Sequence, residues 1–143
     1  MLAYRIELEK DDNGTFLVTC PALPEVTTFG EDEGEARLRA LDAIEEALAA
    51  RIAHRMDIPA SREGQVGEGD VVLPVQTEIK VALYREMRRS GLNKADLARL
   101  LSAHAPQVDR LLDLRHDSKL EKLEQAFWAL GKQIDLTIVN RGA

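Results

Sequence analysis

Lys94-Ala95-Asp96-Leu97-Ala98-Arg99-Leu100-Leu101-Ser102-Ala103-His104-Ala105-Pro106-Gln107-Val108-Asp109-Arg110-Leu111-Leu112 decides the architecture of this 143-residue chain. The stretch reads as a short helix, a tight corner and a second short helix. Ala98 is small where two helices must approach, Ser102 stands at the corner, and Val108 points into a core. A small residue, a turn former and a β-branched residue in this order give the pattern of a helix-turn-helix, which holds its second helix out toward the DNA major groove.

The second helix of that pair carries the chemistry. His104 or Ala105 opens it, with Pro106 in the first turn, where a missing N–H costs nothing. Val108, Leu111 and Leu112 face inward and leave Ala105, Pro106, Gln107, Asp109 and Arg110 toward a groove. Gln107 suits a bidentate contact to adenine and Arg110 one to guanine, while Ala105 and Pro106 suit thymine methyls. Lys94, Arg115, His116 and Lys119 are placed for phosphates. Asp109 is discordant, because a carboxylate repels phosphate unless it pairs with Arg110 or accepts from a cytosine amine.

Working outward, Thr77–Ser90 carries Ile79, Leu83 and Met87 at helical spacing, with Val81 and Tyr84 beside them, and Gly91 ends it. Asn93 is a natural N-cap for the next helix. Asp117 or Ser118 caps a last helix holding Leu120, Leu123, Phe127 and Leu130. Ile134-Asp135-Leu136-Thr137-Ile138-Val139 then alternates as a strand with no partner in this all-helical half. An isolated strand is unstable in water. Pairing across a two-fold axis would use Ile134, Leu136 and Ile138 as a dimerisation face; pairing back onto the N-terminal sheet is the alternative. Each half is about 70 residues, a size at which one core gives about 3–5 kcal/mol, so dimerisation is physically useful.

The first half has a different period. Tyr4, Ile6 and Leu8 alternate with Arg5, Glu7 and Glu9 as a half-buried strand. Asn13-Gly14 suits a hairpin corner, residues 15–20 return as a second strand, and residues 26–30 form a third. Ala36, Ala40, Ile44, Leu48 and Ile52 recur every four residues along one amphipathic helix. Residues 59–70 hold Gly64, Gly67 and Gly69 and no periodic apolar residue, which predicts a flexible loop. Residues 71–75 read as one more strand, with Pro74 at a sheet edge. The expected fold is α+β: a β-β-β-α-β domain over 1–76, then an all-α helix-turn-helix domain over 77–143 with a C-terminal dimerisation strand.

Composition narrows the class. A hydrophobic fraction of 45% with 31% charged residues is that of a soluble globular chain and excludes disorder. No apolar run is long enough to span a membrane, the N-terminus lacks the uninterrupted apolar stretch of a signal peptide, and Cys20 stands alone, which excludes an internal disulfide. A cytoplasmic protein is expected. Residues 1–75 carry 7 Lys/Arg against 16 Asp/Glu, and residues 76–143 carry 12 against 9, which gives −9 and +3. The first half therefore repels nucleic acid and attracts basic partners, while the second can approach phosphate.

No catalytic constellation stands out. His54, His104 and His116 lack metal-ligand spacing, and no cofactor or metal is expected. Glu7, Glu9, Asp11 and Asp12 raise the alternative of a Mg²⁺-dependent nuclease, although Asp11 and Asp12 belong to the turn. Cys20, at a strand end, reads as a packed thiol.

Both halves resemble the HicB family of antitoxins, in the subgroup with an XRE/Cro-like helix-turn-helix. The first half does so through Tyr4, Glu9-Lys10-Asp11, Asn13-Gly14-Thr15-Phe16, Val18, Pro21-Ala22-Leu23-Pro24, Thr28, Gly30, Glu35-Ala36 and Ala43-Ile44. The second does so through Gly91-Leu92-Asn93-Lys94-Ala95-Asp96-Leu97-Ala98 and Pro106-Gln107-Val108-Asp109-Arg110-Leu111-Leu112-Asp113-Leu114-Arg115-His116. The resemblance implies a partial RNase H-like N-terminal domain without nuclease activity. That domain would bind and mask HicA, a small basic mRNA-cleaving ribonuclease. The C-terminal domain would bind operator DNA as a homodimer or higher homo-oligomer and repress its own operon. Two departures are Glu25, where the family commonly has glycine after Pro-x-Leu-Pro, and Ser102, where glycine often forms the corner. The runner-up is an orphan regulator of the same build without a toxin partner.

Overall fold

The computed structural model describes residues 1–141 and has mixed α+β architecture in two compact units, Met1–Val75 and Gln76 onward. In the first unit the expected opening strand is divided at Ile6 into β1 (Ala3–Arg5) and β2 (Glu7–Lys10). β3 (Phe16–Thr19), β4 (Thr27–Gly30), the helix α1 (Glu33–Ala53) and β5 (Asp70–Val72) follow. β1 pairs antiparallel with β5, and β2, β3 and β4 form a separate antiparallel ladder in that order. The division has a simple cause. The Ile6 N–H donates to the Gly69 carbonyl at 2.9 Å, on the β5 side, whereas Glu7 already faces Thr19 of β3.

The hairpin corner is built by Asp11 more than by Asn13. Its carboxylate accepts from the backbone N–H groups of Asn13 and Thr15 at 2.9 and 3.1 Å and from the Thr15 hydroxyl, and only Gly14 takes a positive φ, +82°. The Thr15 hydroxyl bond holds the exposed Asp11 carboxyl below its ordinary pKa.

Helix α1 starts at Asp32, whose side chain accepts from Glu35 N–H at 2.8 Å. Its buried stripe, Ala36, Ala40, Ile44, Ala47, Leu48 and Ile52, lies against β3 and β4. Close approach requires small residues at the crossing: a Cβ added to Gly30 would overlap the backbone N and Cα of Ala36. Val18, Leu23, Val26, Cys20 and Tyr4 complete this core. Burial pushes the Cys20 thiol pKa up. Glu25 sits in the turn after Pro24 and receives a two-pronged ion pair from Arg51 of α1, 2.7 and 2.9 Å. That guanidinium holds the Glu25 carboxyl below its ordinary pKa.

Residues 59–69 have no regular structure, but they are fastened along β1. Tyr4 Oη donates to the Pro59 carbonyl at 2.7 Å, Ala3 N–H to Ser61 Oγ at 2.9 Å, and Arg62 N–H to the Ala3 carbonyl at 2.8 Å. The buried Asp70 carboxylate closes the segment by accepting from Gly67 N–H at 2.7 Å and pairing with Arg62 at 3.0 Å. The last strand is shorter than the expected 71–75 because Val75 already belongs to the next helix.

The second unit holds α2 (Val75–Arg89), α3 (Lys94–Leu101), α4 (Ala105–Leu112) and α5 (Leu120–Ala129). Leu83, Tyr84, Met87, Leu97, Val108, Leu111, Leu112, Leu123 and Phe127 are buried. Asn93 caps α3 in a reciprocal box with Asp96. Ser102 ends α3 in the left-handed conformation, φ 50° and ψ 43°, the geometry a glycine adopts more easily. Lys119, not Asp117 or Ser118, occupies the N-cap of α5. Within this single chain residues 134–139 are not a strand: they make no ladder, since nothing among the described residues pairs with them. Ile134 is half-buried, while Leu136 and Ile138 stand 70% and 84% exposed.

Candidate functional site

The expected recognition surface is open. Ala105, Pro106, Gln107, Asp109 and Arg110 are exposed on α4, and Val108, Leu111 and Leu112 face the core. Periodicity settles this division, because eight residues at helical pitch bury one stripe and expose the other. A groove of about 400 Å³ brings Gln107 and Arg110 of α4 beside His116 and Lys119 of the following segment and Lys122 and Gln125 of α5. Lys122 and Gln125 were not singled out from sequence; their spacing of three and six residues from Lys119 is the signal that would have found them. Lys94, Arg115, Ala105 and Pro106 lie outside this groove.

Two polar contacts change what these residues offer. Asp109 pairs with Lys94 at 2.9 Å and not with Arg110. The discordant carboxylate therefore neutralises Lys94, and both groups remain exposed. The Gln107 Oε1 accepts the His104 backbone N–H at 2.7 Å, closing the N-terminal turn of α4. Its amide nitrogen stays available to donate. Arg115 follows Asp113, whose carboxylate accepts the Arg115 N–H at 2.9 Å.

The residue that sequence reasoning missed is Lys80. It is fully buried, and its ammonium donates to the carbonyls of Arg110, Asp113 and His116 at 2.9, 2.7 and 2.5 Å. Arg110 lies in the last turn of α4 and Asp113 is its C-cap, where carbonyls lack helical partners and the helix dipole favours a cation. Burial lowers the Lys80 pKa against the opposing pull of Asp113 and Asp117. Gln76 adds a second clasp, donating to the Ser118 carbonyl at 3.2 Å and accepting its N–H at 2.8 Å. The signal for Lys80 was its phase: Thr77, Lys80, Tyr84 and Met87 follow one helical stripe, all buried, whereas Ile79 is only half-buried.

Glu7 and Glu9 share the outward face of β2, while Asp11 is spent on its own turn. Among the described residues no group of three His, Cys, Asp or Glu side chains could hold a metal ion, and no helix is long and apolar enough to cross a membrane.

A small sheet-and-helix unit followed by a helical unit gives a mixed α+β chain. Residues 3–82 match the family described as HicB_like antitoxin of bacterial toxin-antitoxin system. The chain is 39% identical over 140 residues to Antitoxin HicB of Pseudomonas fluorescens, covering 96% of this chain and 94% of that protein. It is 31% identical over 138 residues to Antitoxin HicB 2 of Photorhabdus laumondii, covering 96% and 97%, and 27% identical over 138 residues to Antitoxin HicB of Escherichia coli K12, covering 96% and 100%. The chain belongs to the HicB-like antitoxin family.

Proposed function

We propose that this chain is a cytoplasmic, non-catalytic antitoxin in which the two units have separate tasks. The first, RNase H-like in type, occludes a HicA-type mRNA-cleaving ribonuclease. The second is a helix-turn-helix whose α4 enters the major groove of operator DNA and represses the chain's own operon. The observation that carries the DNA reading is the open face of α4, with Gln107 and Arg110 beside Lys119 and Lys122, behind a left-handed corner at Ser102. Lys94, Arg115 and Lys119 supply phosphate contacts, and Ala105 and Pro106 supply apolar ones. Homodimerisation through Ile134, Leu136 and Ile138 places two such helices on one site. Support for that pairing is the exposed tail, whose apolar alternation finds no strand partner among the described residues.

Arg110→Ala tests the reading. Titrating the full chain onto its own promoter DNA, the variant loses about tenfold or more in specific affinity, while rescue of growth from a HicA-type toxin is unchanged. Unchanged operator affinity in the variant removes Arg110 from the interface, and lost rescue removes the separation of tasks.

A further inference from the structure

The ladder of β2, β3 and β4 turns one side to α1 and the other outward. Leu8, Val18 and Thr28 form a row on the α1 side, with Val18 fully buried. The outward rows are Glu7, Thr19, Thr27 and Glu9, Leu17, Phe29. Phe29 is 54% exposed, and its direct cross-strand neighbour is the half-buried Leu17. A phenylalanine held this far into water by a well-formed ladder is not serving the core of its own unit. Glu7 and Glu9 border this pair, and the exposed Glu31 lies just past the end of β4, two residues after Phe29. None of the six outward residues of the three strands is basic.

These glutamates differ from other acids of the unit. Glu25 is held by Arg51, Glu35 by Arg39 and Asp70 by Arg62, whereas no ion pair engages Glu7, Glu9 or Glu31 among the described residues. An apolar centre with an unneutralised acidic rim has the composition of a docking surface for a cationic protein. A second copy of the chain would set glutamates against glutamates, and nucleic acid would be repelled. We infer that the outward face of β2–β3–β4 docks the basic partner protein. An apolar side chain of that partner rests on Phe29 and Leu17, and its lysines or arginines face Glu7, Glu9 and Glu31. This inference rests on the antitoxin reading above and names the surface by which it acts.

The experiment uses the full chain and the purified product of the reading frame beside its gene, with equilibrium titration and association rates at low and high salt. Phe29→Ser lowers affinity about tenfold or more, chiefly through faster dissociation. Glu7→Lys with Glu9→Lys lowers the low-salt association rate about tenfold and flattens its salt dependence, which a merely structural defect does not do. Leu38→Ser, on an exposed position of α1, leaves both unchanged. If Phe29→Ser fails to fold, Phe29→Thr, a good strand former, carries the test. Binding kept within about twofold by both outward-face variants, or lost on Leu38→Ser, overturns the surface while the antitoxin reading stands. A shift of the wild-type oligomer on Phe29→Ser assigns the face to a second copy and also overturns it. If the wild-type chain does not bind that product at all, the antitoxin reading itself fails and the surface goes with it.

Discussion

The two units solve the same problem, ordering about 70 residues, by different physics. The first lays one helix of 21 residues across a sheet and gains its close packing by removing side chains, at Gly30, Ala36 and Ala40. The second uses α3 and α4, eight residues each, which are too short to stand alone in water. It fixes them through their ends: the Asn93 box, the His104–Gln107 bond and the Lys80 ammonium. A long helix can be held by its face, whereas a short one is mostly termini and must be held by them.

On that contrast the largest effect comes from Lys80→Met, which keeps the stem and deletes the donor. Three carbonyls around a buried site then lose their partner, and the second unit loses about 2–4 kcal/mol. Hydrogen exchange resolved by unit reads this as faster exchange in α2 and α4 with the first unit unchanged; equal loss in both units breaks the comparison. Next is Gly30→Ala, the mirror experiment. The added methyl forces α1 off β4 and costs the first unit about 1–3 kcal/mol, measured as a fall in urea midpoint with protection of α3 and α4 retained.

A smaller change of opposite sign is expected at the corner. Ser102→Gly relieves the left-handed backbone and raises stability of the second unit by about 0.5–1 kcal/mol, read as a higher melting temperature. Asp109→Ala sharpens the functional side of the contrast, because it frees Lys94. In salt titrations of binding to the proposed operator it steepens the salt dependence by about one counterion; an unchanged slope places Lys94 off the phosphates.

The smallest effect is acid-dependent and confined to the first unit. Glu25 has its carboxyl pKa depressed by Arg51. Its stabilisation is therefore complete above the ordinary glutamate value of 4.5 and is lost as pH falls through the lower folded value. The pair is partly exposed, so the contribution is about 0.2–1 kcal/mol. Comparing wild type with Glu25→Gln between neutral pH and pH 3 or so isolates it as the difference between two melting curves.

Much of the fold was legible because it depends on local period. The four-residue repeat from Ala36 to Ile52 placed α1, and the turn residues Gly14, Gly91 and Gly131 lie where φ is positive. The inward stripe of α4 and the N-cap at Asn93 follow from spacing alone. The break at Ile6 was not legible, since it reflects which of two neighbours, β5 or β3, each residue finds. The terminal segment was read as a strand from its alternation, yet alternation specifies a face and cannot supply the partner that a ladder needs.

The candidate site divides in the same way. Exposure of Gln107 and Arg110 was fixed by helical phase. The capping use of the Gln107 oxygen is local, three residues from His104, whereas the pairing of Asp109 with Lys94 and the burial of Lys80 were decided only when α2, α3 and α4 came together. By itself the chain determined its periods, its cap at Asn93, its corner at Ser102 and the acidic-to-basic change near residue 76, properties read along the chain. The tertiary structure alone decided which charges are neutralised and which stay free. Lys80 meets carbonyls 30–36 residues further on, and a hydrogen bond or ion pair depends on distance in space, which no short-range pattern encodes.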